Sequence, residues 1–202
     1  MSTKLKIAAA VAAAVLLSAC SSPKHEPMPL VNFTPSMEVT EVWSKGLSSA
    51  EGFLVPAVYD DMVFAAGGKT LTRLNARTGE TEWSVSFDSP ITGGVGSDGY
   101  VTAVGLWDGN LEVVDAEGKV SWEKKLTTEL ASPPVVSHGL VIARTMDTRV
   151  SAFEASSGEL QWTYQKSQPA LTVRLPTRML AHDNFLLVGQ PNGHIVILDI
   201  AS

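Results

Sequence analysis

Leu74-Asn75-Ala76-Arg77-Thr78-Gly79-Glu80-Thr81-Glu82-Trp83 returns as Val114-Asp115-Ala116-Glu117-Gly118-Lys119-Val120-Ser121-Trp122, and again as Phe153-Glu154-Ala155-Ser156-Ser157-Gly158-Glu159-Leu160-Gln161-Trp162. In each copy a glycine (Gly79, Gly118, Gly158) precedes a tryptophan by four residues. Trp43 adds an earlier member, so Trp43, Trp83, Trp122 and Trp162 are spaced by 40, 39 and 40 residues. A fixed period of this length means stacked supersecondary units, and it dictates the architecture ahead of any single motif.

Around this core each unit reads as four short strands. Ile91 to Ser97 and Tyr100 to Leu106 flank the hairpin signal Asp98-Gly99, whose glycine tolerates the positive φ that tight turns demand. Leu111 to Asp115 and Lys119 to Leu126 follow, joined across Ala116-Glu117-Gly118. The corresponding places elsewhere hold Asp60-Asp61, His138-Gly139 and Asp183-Asn184, all turn-forming pairs. No helical period is found beyond the N-terminal segment. The reading is an all-β chain, a β-propeller of four-stranded antiparallel blades over residues 37–202. The repeated tryptophan fills the wedge between adjacent blades, and its indole N–H then needs an acceptor. From hairpin turn to repeat glycine takes 18 or 19 residues, so counting on from Asn184 expects a glycine at about 203 and a tryptophan near 207. The expectation is three full blades plus a partial one, cut before its outer strand. Such an incomplete ring, a truncated product or a fragment, would have open edges able to pair.

The ends carry a different message. Lys4 and Lys6 precede an unbroken apolar run from Ile7 to Leu17, too short to span a bilayer as a stable helix and typical of a signal peptide. The run closes on Leu17-Ser18-Ala19-Cys20, similar to the lipobox of bacterial lipoproteins, which implies a signal over 1–19 and acylation of Cys20. The alternative is an ordinary secretory signal with an accidental cysteine. Cys20 is the only cysteine, so it is not half of an intrachain disulfide. Several acyl chains on one residue would anchor it stably to a membrane. Ser21 after the cysteine resembles an outer-membrane sorting signal. Residues 20–36, with four prolines and no sustained period, read as a tether. Removing the signal takes the net charge from -6 to about -8, which disfavours nucleic acid as a partner.

The regularity breaks once. From each tryptophan to the next hairpin turn the distances are 18, 16 and 17 residues, but from Trp162 to Asn184 the distance is 22. About five residues are inserted within Lys166 to Pro176, a connection between blades that is expected at the surface. It carries Leu171, Val173, Arg174 and Leu175. Exposed aliphatics beside an arginine make an interface anchor; the alternative is that the aliphatics tuck under the blade rim and Arg174 is solvated.

Catalytic chemistry is not visible. His25, His138, His182 and His194 share no metal-ligand spacing. Asp60-Asp61 and Ser137-His138 occupy the repeated turn position, so turn chemistry explains them better than a carboxylate pair or part of a triad. Gly93-Gly94-Val95-Gly96 is followed by no Lys-Ser/Thr and opens no helix, unlike a phosphate loop.

The motif Ala-x-x-Gly-x-x-x-Trp, as in Ala76 to Trp83, resembles the quinoprotein-type propeller repeat. With the lipobox and proline-rich tether, the chain is similar to the BamB family, lipoprotein subunits of the outer-membrane β-barrel assembly machinery, and matches roughly the N-terminal half of that eight-bladed family. The resemblance implies a non-catalytic scaffold on the periplasmic face of the outer membrane, with no cofactor and no small-molecule substrate. It also implies binding to the barrel-forming subunit BamA and assistance in the insertion of β-barrel proteins. Members contact that subunit through a loop of pattern Leu-x-Leu-Arg, which implies Leu171, Val173 and Arg174 as partner-binding residues, Val173 departing conservatively from leucine. The family's second contact, an acidic pair in a later blade loop, falls beyond Ser202. Strand addition at the loop or a blade edge is one mode of contact. The rival readings are an enzyme or sensor using pyrroloquinoline quinone and calcium, which is expected to need paired cysteines in a much longer domain, and a lipoprotein that binds another envelope component.

Overall fold

Short apolar inner segments and alternating outer ones, parted by turn formers, fold as antiparallel meanders. The computed structural model describes residues 30–48, 54–166 and 177–201. The chain divides into two units, 1–40 and 41–202; within the first, residues 30–40 form no strand and are exposed. The second holds four sheets. The first comprises β1 (Ala57–Tyr59), β2 (Met62–Gly67), β3 (Thr70–Asn75) and β4 (Thr81–Ser86), paired in that order. The second comprises β5 (Ile91–Ser97), β6 (Thr102–Leu106), β7 (Asn110–Val114) and β8 (Val120–Lys125), and the third β9 (Val135–Ser137), β10 (Leu140–Arg144), β11 (Val150–Glu154) and β12 (Leu160–Tyr164). The fourth has three described strands, β13 (Leu180–His182), β14 (Phe185–Gly189) and β15 (Ile195–Asp199). The four sheets are successive blades of a propeller and close no ring among the described residues. The first strands β1, β5, β9 and β13 neighbour one another in turn.

Turns follow the residues expected of them, with one difference. Asp60-Asp61, His138-Gly139 and Asp183-Asn184 are two-residue loops, with φ of 47°, 54° and 48° at Asp60, His138 and Asp183. Asp98-Gly99 belongs instead to a four-residue loop, since Ser97 pairs with Thr102. The Asp98 carboxylate accepts the N–H groups of Tyr100 and Val101 at 3.0 and 2.8 Å, which holds the wider turn.

Each seam between blades is a hydrophobic core closed by a tryptophan. Phe64, Leu71, Ile91 and Val104 fill the first seam, Leu111, Val113, Val141 and Phe153 the second, and Ile142, Val150, Leu186 and Ile200 the third. The indole N–H of Trp43 donates to the carbonyl of Ala76, that of Trp83 to Ala116, Trp122 to Ala155 and Trp162 to Ile200, at 2.8 to 2.9 Å. The indole face lies on the glycine of the same turn in the next blade. A Cβ added at Gly79, Gly118 or Gly158 would meet the ring of Trp43, Trp83 or Trp122 at 2.7 to 2.8 Å. These glycines also have φ of 72°, 84° and 71°, so both the close approach and the left-handed backbone require glycine. The motif read as one unit therefore joins two: its alanine and glycine receive the preceding tryptophan, and its own tryptophan reaches forward. Trp43 takes part although residues 41–48 form no strand.

The glycine run at 93–96 serves packing as well. A Cβ at Gly93 would strike Leu130 at 2.8 Å, one at Gly94 would strike Pro133 at 2.6 Å, and one at Gly96 would strike the Pro134 carbonyl at 2.0 Å. The connection into the third blade thus lies directly on β5, where the β5–β6 register shifts.

Gly118→Ala is expected to destabilise the protein by about 2 kcal/mol or more, from left-handed strain plus displacement of Trp83. Gly139→Ala, at φ 71° with nothing within 4 Å of the added Cβ, isolates the strain alone at about 1 kcal/mol. Urea unfolding of the two variants checks the difference; equal losses would remove the indole contact from the account.

Candidate functional site

In a meander of this connectivity, the turns between second and third strands and the connections between blades gather at one end. The backbone confirms it: Phe87 N–H donates to Lys69, Trp107 to Pro90, Leu126 to Gly109 and Ala131 to Arg144, at 2.8 to 3.0 Å. Residues 167–176 link β12 to β13. Leu171, Val173 and Arg174 lie outside the described residues, as does Cys20. The residues before and after them, Lys166 and Thr177, belong to this same end of the sheets, where the Thr177 hydroxyl donates to the Gly189 carbonyl at 3.2 Å.

The insertion is visible in the tryptophan contacts. Trp43, Trp83 and Trp122 each reach an acceptor 33 residues ahead, whereas Trp162 reaches one 38 residues ahead with the same geometry. Five residues have been added without altering the seam.

Two exposed apolar side chains stand on this end that the sequence reading does not single out, Trp107 at 61% and Met146 at 37% exposure. They hold equivalent places in the β6–β7 and β10–β11 turns. Trp107 is the fifth tryptophan, off the 40-residue ladder, so seam packing gives it no role; that was its signal in the sequence. Beside Met146, burial alone would raise the Asp147 carboxyl, but the hydroxyls of Thr145 and Thr127, the Arg149 backbone and its guanidinium outweigh this and hold it below the usual range.

Arg144 also escaped the sequence reading. Pairing of Ala66 with Leu71, Gly105 with Leu111, Arg144 with Val150 and Gly189 with Ile195 puts this arginine where the other blades have alanine or glycine. It is 3% exposed, donates from Nη1 to the Thr177 hydroxyl at 2.6 Å, and has no carboxylate partner among the described residues. Its Nε is unbonded, and burial depresses its pKa. A buried charge held, among the described residues, by a hydroxyl ties β10 to the residue that follows the expanded connection.

A second departure lies in the first seam. Across β3–β4 and β11–β12 the equivalent cross-strand pairs are hydroxyls, Thr72 with Ser84 at 3.1 Å and Ser151 with Thr163 at 3.3 Å. Across β7–β8 the pair is Glu112 with Glu123. Glu112 is 7% exposed, and its carboxyl is pushed up to about 7 by burial first, then by Glu123, Asp108 and Asp88. The nearby ammonium groups of Lys69 and Lys125 bond to the backbone carbonyls of Asp88 and Asp108 instead.

Of the sequence-predicted groups, the structure brings Trp43, Trp83, Trp122 and Trp162 onto their turn partners. It leaves the three described histidines, His138, His182 and His194, at separate places: His138 bonds Ser137 at 2.8 Å within a turn, and His182 sits 3.6 Å from Asp183 at another. Among the described residues no group of three His, Cys, Asp or Glu side chains could hold a metal ion.

Residues 67–202 match the family described as "Outer membrane protein assembly factor BamB". Proteins of that name from Burkholderia pseudomallei and Bordetella pertussis are 37% and 32% identical over 95% and 92% of this chain. The chain spans about half the length of these relatives, 52% and 50%. The crystal structure of BamB from Moraxella catarrhalis superposes with a TM-score of 0.65 at 28% identity, covering 73% of this chain and 46% of that one. The designed Ika4 protein, 17% identical, also superposes at 0.65 over 81% of this chain and 99% of its own, a likeness of fold alone.

Because the folded state holds the Glu112 proton more tightly than an unfolded chain does, stability falls as pH rises from the ordinary value of 4.5 to about 7 and is unaffected below that window. Glu112→Gln keeps the shape and removes the titration. At pH 8 it is expected to raise stability by about 1–2 kcal/mol, and at pH 4.5 by almost nothing. Denaturant unfolding at the two pH values checks this; a gain independent of pH would rule out the carboxyl as its source.

Proposed function

The chain belongs to the BamB family of outer membrane protein assembly factors, and on that premise we propose that it is a non-catalytic scaffold that holds the barrel-forming subunit BamA of the assembly machinery. In this reading the protein sits at the periplasmic face of the outer membrane, anchored through acyl chains on Cys20, with residues 20–36 as the tether. Leu171, Val173 and Arg174 are the partner-binding residues. Contact with the partner assists insertion of β-barrel proteins, without a cofactor or small-molecule substrate.

The observation that carries the proposal is the five-residue expansion between Trp162 and its acceptor, in a chain whose other three tryptophan spans are identical. A length change that leaves the packing untouched serves something outside the fold. The segment added there has a leucine and an arginine at the positions the family uses, and it leaves the sheets at the end that also exposes Trp107 and Met146. Aromatic, methionine and arginine side chains are the residues enriched in protein interfaces.

Truncation of an anchoring leucine or arginine is expected to cost about 2 kcal/mol each. In a pull-down of BamA on the full-length protein, Leu171→Ala combined with Arg174→Ala should abolish capture. Trp107→Ala should weaken it by a smaller step. Undiminished capture by the double variant would overturn the site assignment.

A further inference from the structure

The seam between the second and third blades opens where the preceding one is filled. In the first seam Val85, Phe87, Val104 and Leu106 close the outer part of the wedge. Strand register puts Lys124, Leu126, Ala143 and Thr145 at the corresponding places of the next. Val to Ala and Leu to Thr remove volume, and a cleft of about 290 Å³ results, bounded by β8, β11, β12 and the β10–β11 turn.

Its wall carries the opposite charge to the first seam. Glu112 and Glu123 there correspond to Ser151 and Thr163 here, and the cations at the cleft are Lys124, Lys125 and Arg149. Lys125 is engaged by the Asp108 carbonyl. Lys124 makes no ion pair among the described residues. The Arg149 Nε lies 3.9 Å from Asp147, a loose ion pair beyond hydrogen-bond distance, and makes no hydrogen bond, while the Asp147 oxygens accept from the hydroxyls of Thr127 and Thr145. A guanidinium held only by a loose ion pair, lining the same cleft as a lysine without an ion pair among the described residues, makes a half-site for an anion. The floor is apolar, formed by Leu126, Ala143, Phe153 and Leu160. It follows β12 from Thr163 to Leu160, three residues or about 10 Å.

We propose that this cleft binds an extended acidic peptide segment, taking a carboxylate between Lys124 and Arg149 and the neighbouring apolar side chain against Leu126, Phe153 and Leu160. The length of the floor matches about three residues of extended chain.

The test is fluorescence anisotropy of the full-length protein with a labelled Gly-Leu-Glu-Leu-Gly peptide and its Gly-Leu-Gln-Leu-Gly counterpart at low salt. The glutamate peptide is expected to bind at least about tenfold tighter, as a charge-assisted contact provides. Arg149→Gln should erase that preference. Lys124→Val with Thr145→Leu, which rebuilds the filled first seam, should abolish binding of both peptides with thermal unfolding unchanged or raised. Equal affinity for the two peptides, no binding of the glutamate peptide at millimolar concentration, or full binding by the filled variant would each overturn the proposal. If the filled variant unfolds early, the Arg149→Gln comparison decides alone.

Discussion

The structure depends on one contact made four times: an indole laid on the turn of the next blade, its N–H donating to a carbonyl there. Three of the four turns are the alanine-to-glycine segment of the repeat, Ala76 to Gly79, Ala116 to Gly118 and Ala155 to Gly158. A half-buried tryptophan brings a large apolar surface to the wedge, but it leaves a desolvated donor whose loss would cost about 1–3 kcal/mol if unpaired. The carbonyl satisfies that donor, and the glycine lets ring and backbone touch. Because the motif receives one tryptophan and sends another, each blade is fixed to both neighbours by the same few residues. Stability in such an array is a sum over seams.

That is why the fold was legible in the chain. The tryptophan period, the glycine four residues before three of the four and the turn pairs at 60–61, 138–139 and 183–184 are local signals, and each lies where the architecture needs it. The wider loop at 98–101 was not legible, because Asp98-Gly99 satisfies a two-residue turn as well as a four-residue one. The bonds from the Asp98 carboxylate to Tyr100 and Val101 decided between them. Glu112, Arg144 and the open second seam were hidden for another reason. Local sequence gives them no distinguishing mark, since Glu112 and Arg144 sit within short, almost wholly buried inner strands like those of the other blades. They stand out only when the residues of separate blades are set on common register positions.

Those positions give the blades their individuality. At one of them, blades have Ala66, Gly105 and Gly189 but also Arg144. At another, hydroxyl pairs give way to Glu112 and Glu123. The first seam is filled and acidic, the second open and basic, and the third holds an arginine with no carboxylate beside it among the described residues. A scaffold that needed only to stack blades would gain stability from reverting each of them, because buried charge is costly and an open wedge forgoes burial. The price in stability is accepted at the outer and connecting edges of the seams and never at the tryptophans.

The division has a mechanical cause. An indole finds its acceptor through the strands on either side, whose register is fixed by backbone pairing, and the link between blades takes no part in that geometry. A link can therefore lengthen by five residues while Trp162 still donates to Ile200 at 2.9 Å, as short as the bonds of the unexpanded blades. Connections and wedge rims are free to take on binding chemistry because the seams do not depend on them. A ligand that bound the tryptophan turns would compete with the fold itself, whereas the opposite end of the sheets, where Trp107 and Met146 meet solvent, is under no such constraint.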